Sequence, residues 1–243
     1  MSFDEHLEDW LSHTSTPWGR LRYALVREVL ARHLPAGPLE VLDVGGADGR
    51  DARALADLGH SVTVLDPAPG LVERARAAGL SAEVGGLDDL PDRAPVDVVL
   101  CHYVLQYRTD EAHDLRLLAE AVRPGGFVSV VLPNPDHRVL TAFLRAGPDA
   151  ALAELGSGSA PGLTFGTDMR KIPLPRVAEL LVGQGLDIMT VHGGRIVGDL
   201  LQDNAIKHDP TFYASWERLE LALAEREPYR RLGQYYGVLA RRP

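Results

Sequence analysis

Three glycines and two aspartates lie together where a short apolar run gives way to a helical pattern. The segment is Asp43-Val44-Gly45-Gly46-Ala47-Asp48-Gly49, and it directly follows the apolar pair Val41 and Leu42. Glycines let a backbone turn sharply and leave room for a ligand against it. In an open α/β sheet such a turn lies at the carboxyl ends of the strands, where these folds bind ligands. The segment therefore predicts a nucleotide site, with a purely structural turn as the alternative.

The spacing of the glycines narrows the kind of nucleotide. A dinucleotide site has the pattern Gly-x-Gly-x-x-Gly, whereas here Gly45 and Gly49 are four residues apart with Ala47 between them. A nucleotide without a pyrophosphate has less need of the third glycine, and S-adenosylmethionine is such a nucleotide. The sequence also lacks a Tyr-x-x-x-Lys pair. Both observations disfavour an NAD-dependent oxidoreductase.

Two further acidic elements follow successive apolar runs. Asp66 ends the second run, where its carboxylate is placed to accept both ribose hydroxyls, and Pro67 beside it is assigned to the same site. The alternative for Asp66 is a helix cap. After the third run, Asp88 is expected to accept from the adenine amino group while Leu87 packs on the ring, with a solvated acidic turn as the alternative. Together these elements favour a nucleotide cofactor more strongly than any one of them alone.

Two other side chains are candidates for action on an acceptor. His102 follows the fourth apolar run, and an imidazole titrates near neutrality, so it could be the general base for an alcohol or an amine. Contact with the cofactor is its alternative role. Arg195 is flanked by glycines and apolar residues, and a cation in such surroundings usually needs an anionic partner. That partner is either a substrate carboxylate or an acidic residue such as Asp199 or Glu227.

The elements that must position these residues alternate along the chain. Helical patterns at 51–58, 71–78 and 111–122 separate the short apolar runs, which lie at 40–44, 61–66, 82–84, 96–101 and 126–132. Alternation of this kind predicts βαβ units and a parallel sheet covered on both faces. Two later runs, at 186–192 and 235–240, predict an antiparallel closure of the sheet edge. The expected fold class is α/β, with a doubly wound, mostly parallel seven-stranded sheet.

The remaining segments surround this sheet. Helices predicted at 3–12 and 18–33 are expected to form a lid over the cofactor, and a helical insertion with a Gly/Ser-rich loop at 156–161 follows the fifth strand. We expect one domain over 1–243. Its four parts are N-terminal helices at 1–36, a cofactor-binding core at 37–135, the insertion at 136–175, and a C-terminal completion of the sheet at 176–243.

These motifs resemble class I S-adenosylmethionine-dependent methyltransferases. The pattern Asp43-x-Gly45-x-Ala47-x-Gly49 matches the cofactor loop of that family, with Ala47 in place of its central glycine. Nearly the whole chain is similar to the bacterial SmtA-like branch, through stretches such as Trp18-Gly19-Arg20-Leu21-Arg22. Best-known members of that branch methylate the carboxylate of 5-carboxymethoxyuridine at the tRNA wobble position. The resemblance implies that Arg22 reaches the methionine carboxylate of the cofactor and that His102 lies beside its sulfonium.

The charge of the chain indicates which kind of methyl acceptor to expect. The chain has 25 Lys and Arg against 34 Asp and Glu, a net charge of −9. The similar tRNA enzymes carry a lysine-rich run in the insertion, whereas residues 155–164 here are Gly/Ser-rich and uncharged. Because contacts to phosphate dominate nucleic-acid affinity, we expect a small-molecule acceptor in preference to tRNA.

The expected function is transfer of a methyl group from S-adenosylmethionine to a carboxylate or other oxygen, with S-adenosylhomocysteine as the product. A carboxylate needs no base, only desolvation and orientation. The alternatives are O- or N-methylation of a small metabolite with His102 as base, and a non-catalytic protein that binds the cofactor.

Composition gives the remaining expectations. The single cysteine, Cys101, and the lack of any Cys/His cluster with zinc-ligand spacing predict no metal site. With no signal peptide pattern and no apolar run of about 20 residues, we expect a cytoplasmic protein without a membrane partner. The sequence does not determine the oligomeric state.

Overall fold

Seven strands form a single sheet. The computed structural model describes residues 12, 14–162 and 167–243. The strands of this sheet are β1 (Glu40–Val44), β2 (Ser61–Asp66), β3 (Ser81–Val84), β4 (Val96–His102), β5 (Val122–Pro133), β8 (Asp187–Gly194) and β9 (Tyr235–Arg241). Their order across the sheet is β3-β2-β1-β4-β5-β9-β8. The first five strands in chain order pair in parallel, and β9 lies antiparallel between β5 and β8. The predicted fold class is confirmed, including the antiparallel closure.

Eight helices belong to the described part of the chain. They are α1 (Pro17–His33), α2 (Arg50–Ala56), α3 (Pro69–Ala77), α4 (Glu111–Glu120), α5 (Pro135–Ala146), α6 (Pro148–Gly156), α7 (Leu174–Gly183) and α8 (Pro210–Leu223). The helix predicted at 3–12 lies outside the described residues except for residue 12. The division of the chain into four segments stays a prediction. Across the described residues, no helix is both long and apolar enough to span a membrane.

The insertion after β5 consists of α5, α6 and a small hairpin. In that hairpin, β6 (Ser159–Pro161) pairs antiparallel with β7 (Asp168–Arg170). The stretch at 156–161, predicted to be a mobile loop, therefore ends in a strand. The pairing partner lies beyond the Gly/Ser-rich stretch, so local composition did not reveal it.

Alternation along the strands buries both faces of the sheet. Val98 and Leu100 of β4 point to the face covered by α1, α2 and α3, whereas Val99 and Cys101 point to the face covered by α4 and α7. Successive side chains of a strand point to opposite faces, so a strand covered on both sides reads as a continuous apolar run. This packing fixes the strand ends, which carry the candidate site residues.

The first turns of α1 reach the carboxyl ends of the strands. The hydroxyl of Thr16 caps its first turn by accepting from Gly19 N at 3.1 Å, and Pro17 takes the first helical position. Gly19, Arg22 and Tyr23 from this helix line a cavity at the end of the sheet. The helix thus occupies the position that the predicted lid requires.

Candidate active site

A cavity of about 370 Å³ opens at the carboxyl ends of β1, β2 and β4. Nine of the predicted site residues line it: Arg22, Asp43, Gly45, Gly46, Ala47, Asp66, Pro67, His102 and Arg195. They come from five separate parts of the chain, from α1 to the turn that follows β8. The cavity therefore exists only because the sheet brings these strand ends together.

The glycine turn forms the floor of the cavity. Gly45 has a φ of +70°, and a Cβ at this position would collide with the side chain of Val104. A Cβ on Gly46 would lie 2.6 Å from Cγ of Asp43. Ala47 also has a positive φ, +51°, and its backbone N–H donates to Oδ2 of Asp66 at 2.9 Å. The end of β2 thus holds the turn in a conformation that leaves backbone exposed to a ligand.

Gly49 does not line the cavity. Its φ of +81° begins α2, and a Cβ there would collide with Leu80 beneath the helix. This glycine permits close packing of the helix rather than contact with a ligand.

Asp66 binds the backbone of two neighbouring loops and lines the cavity. Its carboxylate accepts from the backbone N–H of Ala47 and of Ala68, each at 2.9 Å. Ala68, not Asp66, is the N-cap of α3, so the alternative role of Asp66 as a helix cap is not observed. Its contact with ribose hydroxyls stays a prediction.

Leu87 and Asp88 lie away from the cavity. Leu87 is 3% exposed and belongs to the hydrophobic core. The Asp88 carboxylate is on the surface, where it accepts from Nη1 and Nη2 of Arg108 at 3.0 and 2.7 Å. This arginine is twenty residues further along the chain. The structure therefore does not bring these two predicted contacts to the site, and Leu71, Tyr107 and Arg108 line that side instead.

A buried ionic network occupies the wall between α1 and β4. Oδ2 of Asp51 lies 2.6 Å from Nη1 of Arg22 and 2.9 Å from Nδ1 of His102. The other ring nitrogen of His102, Nε2, is 2.9 Å from the hydroxyl of Ser129. The carboxylate can only accept, so Nδ1 carries the proton and Nε2 accepts from Ser129. Both nitrogens of His102 are thereby occupied.

This network sets the charges at the wall. Burial by itself would raise the pKa of Asp51, but Arg22 and His102 overcome it and lower that pKa to about 2. Burial lowers the pKa of His102, and the nearby charge of Asp51 only partly opposes this effect. The wall therefore holds one cation, one carboxylate and a neutral imidazole.

Several buried polar atoms at the cavity have no partner within the described structure. They are Nε of Arg22, Oδ2 of Asp43 and Oε1 of Gln106. Burial, reinforced by the charge of Asp51, raises the pKa of Asp43 well above its ordinary value. Buried polar groups are rarely left without hydrogen bonds, so these atoms fit a polar ligand that supplies the partners.

Arg195 is held at the opposite side in a constrained turn. Its φ is +55°, an uncommon conformation for a residue other than glycine. Buried Glu220 accepts from the backbone N–H of Ile196, Val197 and Gly198 at 2.7, 3.0 and 3.1 Å, which fixes this turn. The Nε and Nη2 edge of Arg195 donates to Asp199, at 2.6 to 3.0 Å. Its Nη1 has no hydrogen-bond partner among the described residues.

This arrangement is compatible with both alternatives for the partner of Arg195, a substrate carboxylate and an acidic residue of the chain. The predicted salt bridge to Asp199 occupies one edge of the guanidinium. Because the residue also lines the cavity, Nη1 remains for an anionic ligand.

Sequence reasoning missed several residues of the site. Asp51 was the easiest of them to find from the sequence, because it follows Gly49 of the glycine turn by two residues. Arg138, Met169 and Gln234 come from the insertion and the last strand, and no local motif marks them. Five arginines line the cavity against three aspartates: Arg22, Arg50, Arg108, Arg138 and Arg195, with Asp43, Asp51 and Asp66. Each of these arginines pairs with a carboxylate, so the cavity is rich in ion pairs rather than in free positive charge.

Comparison with known proteins identifies this architecture. A family model for a methyltransferase domain matches residues 18–161, more than half of the chain. The tRNA 5-carboxymethoxyuridine methyltransferase of Escherichia coli is 31% identical over 259 aligned residues, covering 100% of this chain and 96% of that protein. A ubiquinone biosynthesis O-methyltransferase of Methylocella silvestris is 33% identical, covering 72% and 75% of the two chains. In fold, an S-adenosylmethionine-dependent methyltransferase of Thermotoga maritima superposes with a TM-score of 0.67 at 15% identity, covering 99% and 98%.

The full-length relative corrects one expectation. The sequence led us to favour a small-molecule acceptor over tRNA, and this preference was wrong, because the relative that aligns over the whole chain is a tRNA methyltransferase. Net charge and the lysine-poor insertion describe the molecule as a whole and one segment of it, and neither excludes basic residues on other surfaces. With the family model, the full-length relative and the shared fold in agreement, the chain belongs to the S-adenosylmethionine-dependent methyltransferases.

Proposed function

We propose that this protein methylates the carboxylate of 5-carboxymethoxyuridine in tRNA, with S-adenosylmethionine as the donor. The observation that carries the proposal is the placement of Arg195 at the cavity with one guanidinium nitrogen available, in a chain that aligns end to end with a tRNA carboxymethoxyuridine methyltransferase. A tRNA acceptor would place the protein in the cytoplasm, as the sequence led us to expect.

The residues around the glycine turn fit the cofactor. Gly45 and Gly46 line the cavity as bare backbone, because Val104 and Asp43 leave no room for side chains there. Asp66 lines the cavity at the end of β2, where a carboxylate suits ribose hydroxyls, and the buried cation of Arg22 suits the methionine carboxylate. When bound, S-adenosylmethionine supplies a methyl group already activated by its sulfonium. The protein then has to orient and desolvate the acceptor.

Arg195 would hold that acceptor. Asp199 fixes the Nε and Nη2 edge of the guanidinium and leaves Nη1 available, so the side chain is oriented before the substrate arrives. The buried carboxylate of Glu220 maintains the turn from below. A preorganised cation of this kind aligns a carboxylate without a further ordering cost.

The state of His102 supports a carboxylate nucleophile. Asp51 and Ser129 occupy its two ring nitrogens, and it is nearly inaccessible to solvent. To remove a proton from an alcohol or an amine it would have to break one of these bonds. A carboxylate is already ionised at neutral pH and needs no such step.

The test is methyl transfer from labelled S-adenosylmethionine to tRNA that carries unmethylated 5-carboxymethoxyuridine. We expect a base-labile methyl ester on the wobble nucleotide. Arg195→Gln should lower kcat/KM for tRNA by about 10- to 100-fold, since charged hydrogen bonds are worth about 1.5–3 kcal/mol. Its affinity for S-adenosylmethionine should stay unchanged.

Arg231→Gln is the matched control, because Arg231 is an exposed arginine that pairs with Glu227 away from the cavity. Thermal stabilisation by S-adenosylmethionine separates the parts of the proposal. Stabilisation without any transfer to tRNA would refute the substrate and keep the cofactor. No stabilisation at all would refute both.

A further inference from the structure

Cations of the insertion and of the adjoining α7 are engaged within the protein. Arg138 and Lys171 both pair with Glu154, at 2.6 and 2.8 Å. Arg170 and Arg176 both contact Glu111, at 2.6 and 3.4 Å. A phosphate would have to compete with these two carboxylates for the four side chains. A surface whose arginines are unpaired is therefore a better place for the backbone of a tRNA.

Such a surface lies where α1 packs against α8. Leu21 and Leu25 of α1 contact Trp216 of α8 in a small apolar cluster. Exposed arginines line the solvent side of this junction, and we name them the basic seam: Arg20, Arg27, Arg32, Arg218 and Arg226.

Two observations place these arginines along one surface. Arg20 lies over the ring of Tyr213, 5.0 Å from its centroid, and Arg27 acts electrostatically on the same tyrosine. Arg32, Arg218 and Arg226 line one shallow, open cleft of about 520 Å³. Tyr213 and this cleft both lie on α8, so α1 and α8 together present the arginines as a row.

Most of this charge is not neutralised. Among the described residues, Arg20, Arg27 and Arg226 have no carboxylate within 4.0 Å, and Arg218 donates only to the hydroxyl of Ser215. Three glutamates belong to the same region: Glu28, Glu217 and Glu225. Glu28 and Glu225 are engaged by Arg32, and Glu225 also by His33. Five arginines against three glutamates leave a local positive excess.

The seam is continuous with the cavity. Gly19 and Arg22 of α1 line the cavity, and Arg20 stands between them on the neighbouring face of the helix. From Arg20 to Arg32 the helix rises by about 18 Å at 1.5 Å per residue. The row of arginines thus begins beside the cavity and leads away from it over a length that accommodates several phosphates of a nucleic-acid strand.

We propose that the basic seam binds the phosphate backbone of the tRNA whose wobble nucleotide enters the cavity. This inference rests on the proposed tRNA substrate. The seam positions the RNA and takes no part in methyl transfer, because contacts to phosphate give affinity without reading sequence. Tyr213, held beside Arg20, adds an aromatic surface at the end nearest the cavity.

The experiment compares two double variants of the full chain. Arg20→Gln with Arg27→Gln removes two charges from the seam, and Arg116→Gln with Arg241→Gln removes two exposed charges from elsewhere. Net charge changes equally in both. We measure binding of tRNA carrying 5-carboxymethoxyuridine over a range of salt concentrations, together with affinity for S-adenosylmethionine.

The seam variant should bind tRNA about 10- to 100-fold more weakly at low salt, with a salt slope shallower by about 1.4–1.8, as expected for two lost phosphate contacts. Its affinity for S-adenosylmethionine and its thermal stability should match the wild type. The control variant should bind tRNA almost normally.

Equal weakening in both variants would overturn the inference, since net charge alone would explain it. Normal tRNA binding by the seam variant, in a protein whose wild type methylates tRNA, would refute the seam and leave the proposed function standing. Failure of the wild type to bind or methylate tRNA, despite stabilisation by S-adenosylmethionine, would refute both the substrate and the seam. Binding to phosphatidylglycerol vesicles in place of tRNA would assign the seam to a membrane surface and also overturn the inference.

Discussion

The same arrangement of charges occurs in two regions of this protein with different surroundings. At the cavity wall, the carboxylate of Asp51 is shared by Arg22 and His102, and the three side chains are 10%, 11% and 2% exposed. Where the insertion and α7 meet α4, the carboxylate of Glu111 is shared by Arg170 and Arg176, whose side chains are 39% and 42% exposed. Both acids have a lowered pKa. One network is sealed from water and the other has cations that water already solvates.

The difference shows which network can preorganise a site. Breaking a buried pair leaves an uncompensated charge in a medium of low dielectric constant, whereas water compensates an exposed pair when it breaks. The Asp51 network therefore holds its members in place, and the Glu111 network contributes little to stability or geometry.

Loss of the Asp51 carboxylate should have the largest effect. We expect Asp51→Asn to lower the free energy of unfolding by about 3 kcal/mol, because Arg22 stays buried without its counter-charge. The affinity for S-adenosylmethionine should fall as well, since Asp51 fixes the position of Arg22. Urea unfolding and calorimetric titration at neutral pH measure the two quantities.

The matched control for this variant is Asp57→Asn. Asp57 follows α2 and lies 3.8 Å from Arg53, with a side chain that is 66% exposed. This change should alter the free energy of unfolding by less than about 1 kcal/mol. Equal losses in the two variants would contradict the role that we assign to burial.

A buried histidine gives a further test of what burial does to a titratable group. His192 is 1% exposed, and neither ring nitrogen has a hydrogen-bond partner within the described structure. Burial lowers its pKa from 6.5 to about 3. The folded state therefore disfavours the charged imidazole, so this contribution to stability is present above pH 6.5 and is lost as the pH falls toward about 3.

We expect His192→Leu to make unfolding less sensitive to acid. Between those two pH values a buried neutral histidine lowers the free energy of unfolding by up to about 1.4 kcal/mol per pH unit, and leucine removes this contribution. Urea midpoints of wild type and variant across the range give the slope for each. An unchanged slope would mean that other groups carry the acid sensitivity, including His102 and His137, whose pKa values burial also lowers.

The smallest effect should come from the exposed network. Glu111→Gln is expected to lower the free energy of unfolding by about 0–1 kcal/mol, and high salt should reduce even this difference, because exposed ion pairs are screened. Unfolding in urea at low and high salt measures both. A loss as large as that of Asp51→Asn would erase the distinction between the two regions.

Local sequence was informative where one segment supplies its own structure. The turn at 43–49 needs glycine because two of its glycines, Gly45 and Gly49, have positive φ and a side chain at Gly45 would collide with Val104. Such steric demands are recognisable in the sequence. The strands were visible for a similar reason, since burial on both faces requires apolar runs. These features predicted the sheet, the turn and the ends of β1, β2 and β4.

Partners far apart in sequence were not visible. His102 meets Asp51 and Ser129, which are 51 and 27 residues away, and only their burial together decides that both ring nitrogens are occupied. Asp88 is drawn to the surface by Arg108, so its strand-end position gave a wrong indication of its surroundings. The pairing of the cavity arginines with carboxylates likewise exists only after folding, because most of these partners are distant in sequence.

The sequence by itself therefore determined the class of fold, the position of the ligand-binding turn and the family of the protein. These depend on steric demands and periodicities within short segments, which each segment meets on its own. The tertiary structure alone decided which charges are paired and which remain available, because that choice depends on distance and on exclusion of water.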